Sequence, residues 1–154
     1  MKYTVSVTWK KQTGEIFTDN KYSRKHNWAF DGGVQVAASS SPQVVPLPLS
    51  EAAAVDPEEA FVASLSSCHM LFLLSIAATQ KYTIDEYEDN AEGLMEKNEA
   101  GVMAMTFVTL RPKIIFSGSI LPSAEQIAQL HEVAHEKCYI ANSVKTNIKI
   151  IPAQ

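Results

Sequence analysis

The chain is poor in the features that would tie it to nucleic acid, carry it through a membrane or staple it with disulfides. No basic run is longer than two residues, Lys10–Lys11 and Arg24–Lys25 being the only such pairs, and the formal net charge is −4. A nucleic-acid binder presents a basic face, so that class is excluded, and the two pairs read as solvated surface charge. The opening stretch "MKYTVSVTWKK" lacks the long apolar core of a secretory signal. Two cysteines in 154 residues make no disulfide framework. The expectation is a cytoplasmic protein, where a cysteine pair points to redox or metal chemistry. There is no C-x-x-C pair, internal repeat or low-complexity tract. What is present is 46% apolar and 19% charged residues, the composition of a single domain, 1–154, with a hydrophobic core.

The longest apolar run, "FVASLSSCHMLFLLSIAA" (61–78), approaches the length of a membrane span. Ser64, Ser66, Ser67, Cys68 and His69 interrupt it and the acidic "DPEE" precedes it, so it reads as a buried central helix, and no membrane is expected. Asp56 can cap the free amides, Pro57 suits the first turn, and Glu58 and Glu59 favour the positive end of the dipole. The helix should run to about Thr79. Upstream, "KYTVSVTW" alternates as a half-buried strand does, and "GEIFTDN" reads as a short strand or turn. "HNWAF", "DGG" and "VQVAAS" read as strand, tight turn and strand. Residues 39–57 hold four prolines and form a long loop, a length that is often functional. Downstream, 82–97 and 102–118 read as two long strands around "NEAG". A second helix over 121–138 is capped by Ser123 with Gln126 closing a capping box. The strand 142–152 carries Val144, Thr146, Ile148 and Ile150 on one face. The sum is an α+β domain of antiparallel strands with two helices.

Several side chains could do chemistry. His131, His135 and Cys138 share one face of the second helix, and with Cys68 and His69 they make a zinc site one reading. Cys68 alone reads equally as a small core hydrophobe. Its small neighbours Ser64, Ser66 and Ser67 leave room for a ligand. A nucleophilic thiol needs a cation or donor to stabilise the thiolate. Arg24, in a connection between strands, is one candidate; Arg111, beside Pro112, is the other and reads more simply as an edge charge. Glu58 could hold an arginine by a bidentate pair. Glu58 and Cys68 lie ten positions apart, about 15 Å along a straight helix, so a shared site needs a bridging arginine or a second subunit.

"DPEEAFVASLSSCHML", with "ASSSP" upstream and "HEVAHEKCYIANSV" downstream, resembles the OsmC-like family, which includes the organic hydroperoxide resistance proteins. The resemblance spans roughly Trp28 to Ile150, and its specific part is Pro57, Glu58, Phe61, Ala63 and Cys68, with a second cysteine, Cys138, ending the following long helix. It implies an intertwined homodimer with strands around a long central helix and a site at the subunit interface. It further implies that Cys68 attacks a hydroperoxide and becomes a sulfenic acid, that Cys138 resolves it to a disulfide, that Glu58 and Arg24 support the thiolate, and that a dithiol reductant restores the thiols. No cofactor or metal is implied. Tyr139 after the second cysteine, "SRKHNWAFDGG", and His69 after the first depart from the hydroperoxide reductases of the family and set this chain in a separate branch. Phe61, Leu65 and Phe72, on the face of Cys68, could line an apolar pocket for an organic peroxide or could simply pack the core. The competing readings are a binding module for a small apolar ligand and a zinc protein.

Overall fold

A computed structural model describes residues 1–153, which fall into two compact units, Met1–Ala60 and Phe61–Gln154.

The first unit is a three-stranded antiparallel sheet in the order β1 (Val5–Thr8), β2 (His26–Phe30), β3 (Gln35–Ala38). Val5 pairs with Phe30 and Thr8 with Asn27, while His26 pairs with Ala38. The expected hairpin turn is present: Gly33 takes φ +86°, and the Gly33 and Phe30 amides donate to the Phe30 and Val34 carbonyls. That sign of φ is open to glycine at no steric cost. β1 keeps its alternation but is not half-buried, for all four residues are exposed, Val7 by 61%. "GEIFTDN" resolves as a turn, a single turn of 3₁₀ helix at Phe17–Asp19. The proline-rich loop is ordered by backbone bonds from Ser39 and Val55 to each other's strands and from Arg24 N–H to the Leu49 carbonyl at 2.7 Å.

Helix α1 (Pro57–Thr79) starts where its sequence says. The Asp56 carboxylate accepts from the Glu59 amide at 2.7 Å, and the Glu59 carboxylate accepts from the Asp56 amide at 3.4 Å. This reciprocal box satisfies two of the free donors at the helix start.

In the second unit the two long strands expected over 82–97 and 102–118 are each broken. β4 (Thr83–Asp89) pairs with β7 (Pro112–Ser117), and β5 (Glu92–Lys97) pairs with β6 (Met103–Leu110), in separate sheets. The hairpin bends at 90–91 and at Arg111, where Pro112 follows and the Asp89 carboxylate accepts the Arg111 amide at 2.6 Å. Helix α2 (Ala124–Lys137) has the capping box of Ser123 and Gln126. The last strand, β8 (Asn147–Ile150), is shorter than expected because Ala141–Ser143 form a 3₁₀ turn. It pairs parallel to β6 and so departs from the antiparallel expectation. The connection from β6 passes through β7 and α2 and re-enters from the same end, as a crossover must.

Two apolar clusters hold this unit: Leu73, Ala77, Leu130 and Ala134, and Leu65, Val108 and Leu110. α1 is apolar enough and long enough to cross a membrane by composition. Within the chain it buries one stripe at four-residue spacing, Leu65, His69, Leu73 and Ala77, while Leu71 stays 60% exposed. At Gly93 a Cβ would come 2.6 Å from both Val62 Cγ2 and Met105 Sδ, so β5 approaches α1 more closely than any side chain permits.

Candidate active site

The second unit brings the two cysteines together. Cys68 lies half-buried on α1 and Cys138 is the buried residue that caps the C-terminus of α2; both are free thiols. Cys138 lies near enough to Cys68 for the two thiols to perturb one another, and its own sulfur accepts the Ala141 amide at 3.4 Å. Burial, and then the neighbouring Cys68 thiol, push the Cys138 thiol up to about 11. At neutral pH it is a protonated thiol. In that state it is a poor nucleophile, because nucleophilic attack by sulfur needs a thiolate.

Beside this pair are two histidines. His69 Nε2 and His131 Nδ1 are 3.0 Å apart, in rings 5.3 Å between centroids and within 3° of parallel. That separation fits two five-membered rings joined edge to edge, so the N–H of one points along the lone pair of the other. They are 1% and 4% exposed. His69 Nδ1 and His131 Nε2 have no partner. Burial lowers both pKa values, that of His69 to about 4, with the nearby His131 and His135 adding to the effect, while Asp89 opposes it at His131. A charged imidazole is disfavoured there, so one ring donates and the other accepts as neutral groups.

Among the described residues no three of His, Cys, Asp and Glu converge on a point that could hold a metal ion. Four of the five ligands of the zinc reading fall into two like pairs, Cys68 beside Cys138 and His69 bonded to His131, and His135 stands outside both.

Arg24 and Glu58 line one cavity of about 550 Å³ in the first unit, with Val7, Trp9, Phe17, Tyr22 and His26. They are not the bidentate pair considered from sequence. The Arg24 guanidinium donates to the Tyr22 carbonyl and, at 3.1 and 2.8 Å, to the Asn20 carbonyl and side-chain oxygen, and it lies 3.8 Å above the centre of the Tyr22 ring. Asn20, at φ 60°, turns the chain so that these oxygens face the guanidinium. Glu58 Oε2 is buried and unpartnered. Arg111, the other candidate, bonds to Glu92 at 3.0 Å and is the edge charge its position suggested.

Residue patterns had marked Cys68, Cys138, Arg24 and Glu58 but not the histidine pair. Its signal was available: His69 stands four residues from both Leu65 and Leu73, in the buried stripe of α1 where an apolar residue is the rule.

The family model for OsmC-like proteins matches residues 50–152. An OsmC-like protein of unknown function from Vibrio cholerae is 53% identical, with 99% of each chain covered and a TM-score of 0.98. An organic hydroperoxide resistance protein of Bacillus subtilis is 19% identical over 99% of this chain and 98% of its own, TM-score 0.69. One from Elizabethkingia anophelis is 20% identical over 99% and 95%, TM-score 0.67. The last two share the fold. Compared with curated proteins, the chain matches none.

Proposed function

We propose, because this chain belongs to the OsmC-like family, that it is a thiol peroxidase reducing organic hydroperoxides in the cytoplasm as a homodimer. The observation that supports this reading is the juxtaposition of the only two cysteines, both free thiols, one half-buried and one sealed. The Cys68 thiolate attacks the terminal oxygen of the hydroperoxide, the S–O bond forms as the O–O bond breaks, and the alkoxide leaves with a proton as the alcohol. The Cys138 sulfur then attacks the Cys68 sulfenic acid; the S–O bond breaks, the S–S bond forms, and the hydroxyl leaves with the Cys138 proton as water. A dithiol reductant returns both thiols. Arg24 and Glu58 carry over from the family pattern as the charged groups that support the thiolate.

The dimer reading is supported by apolar side chains left open on the single chain, among them Val5, Val7 and Leu71, a pattern that marks an association surface. The test is direct. Reduced protein given a slight excess of cumene hydroperoxide should form a Cys68–Cys138 disulfide, seen by mass spectrometry, and Cys68→Ser should reduce turnover to background. A Cys68→Ser variant as fast as the parent would end the reading. The apolar walls of the cavity in the first unit favour one alternative, a binding module for a small apolar ligand, which predicts neither turnover nor disulfide.

A further inference from the structure

The faces that α1 and α2 share in the second unit are held mainly by apolar contact through Leu73, Ala77, Leu130 and Ala134. Such contact is non-directional and tolerates a small slide or rotation of one helix on the other. A disulfide does not. It requires sulfurs about 2.05 Å apart and Cα atoms within about 4.4–6.8 Å. Something more directional than leucine and alanine has to set the register if Cys138 is to stay against Cys68.

The histidine bond has that property. His69 follows Cys68 on α1, and His131 lies seven residues before Cys138, two turns back on the same face of α2. The 3.0 Å edge-to-edge bond fixes both a distance and a direction between the helices. Its cost argues against a role in stability alone: it buries two nitrogens, His69 Nδ1 and His131 Nε2, that bond to nothing. Two apolar side chains would fill that space without the penalty. Buried polar pairs of this kind are best attested as devices that select one register among several.

We propose that the His69–His131 bond is a positioning device that holds α2 on α1 in the register at which the Cys138 sulfur meets the Cys68 sulfur. It rests on reading the two thiols as a redox pair. Neither imidazole gains or loses a proton in the closure.

The test uses glutathione, so that it does not depend on peroxide chemistry. One glutathione disulfide takes two electrons and two protons from the Cys68 and Cys138 thiols, leaving the protein disulfide and two reduced glutathiones. The equilibrium gives the effective concentration of one thiol toward the other. In the double variant H69L/H131L that value should fall roughly five- to tenfold, as loss of one directional hydrogen bond implies, while Tm stays at or above the parent's. His131→Asn, whose amide can stand where Nδ1 does, should keep the parent's value. An unchanged effective concentration in H69L/H131L overturns the proposal, as does an equal loss in His131→Asn. If the parent forms no Cys68–Cys138 disulfide, both this proposal and the redox-pair reading fall. A parent that closes the disulfide with glutathione but ignores hydroperoxide sinks the peroxidase reading alone.

Discussion

The first unit holds its functional candidates as charges around a cavity; the second holds them as neutral groups in a core. Arg24 and Glu58 line one cavity without pairing. His69, His131 and Cys138 are all at least nine-tenths buried, and burial drives each toward its uncharged form, the imidazole downward and the thiol upward. One cause, loss of water, thus produces opposite shifts in a base and an acid. The second unit's only arginine, Arg111, is already engaged by Glu92. Charge thus gathers around the cavity of the first unit, while the second buries sulfur and imidazole as neutral groups.

The sharpest way to break that comparison is Arg24→Met. On the proposal that Arg24 supports the reacting thiolate, its loss should cut the rate of cumene hydroperoxide reduction about tenfold or more. Equal rates in parent and variant would mean that the second unit activates its thiol unaided.

Next in size is the pH dependence of stability. The folded pKa of His69, about 4, lies below its ordinary value of 6.5. Between those values the unfolded chain binds more protons, so the contribution is fully present above pH 6.5 and is lost as pH falls to about 4. The loss is on the order of 3 kcal/mol. Cys138 sets the other edge: its pKa is raised from 9.0 to about 11, so stability falls as pH rises through that interval. Urea denaturation across the pH range should give a plateau between these edges, and H69L/H131L should flatten the acid slope. A parent with no acid slope would contradict the neutral core.

The smallest effect compares one substitution in both units. Gly93→Ala puts a methyl into Val62 and Met105 and should cost about 1–3 kcal/mol as overpacking. Gly32→Ala meets nothing within 4 Å and should be near neutral. Thermal melts of the two would separate close packing from open turn, and equal shifts would contradict it.

Much of this is legible in the sequence. The Asp56–Pro57 start, the Ser123–Gln126 box and the Asp-Gly-Gly turn are local rules, enforced by atoms a few residues apart, and each held. The breaks at 90–91 and Arg111 were not legible, because Asp89 reaches its partner across the sheet and β propensity is blind to that. The parallel pairing of β8 was hidden because period-two patterning records a face and not a direction. Cys68 and Cys138 were found by residue type. The histidine pair was missed because its partners are sixty-two positions apart, and because in sequence a buried histidine looks like an exposed one.

The parallel strand β8 has a consequence for how the chain is made. β5 and β6 can meet as soon as the short turn between them exists, whereas β8 can join β6 only after β7 and α2 have both been synthesised and crossed over. Cys138 sits at the end of that crossover, about seventy residues after Cys68. On the ribosome Cys68 therefore emerges well before Cys138, and the two thiols can meet only once the far helix docks. The newborn chain and the finished one differ less in their thiols than in whether those thiols can meet.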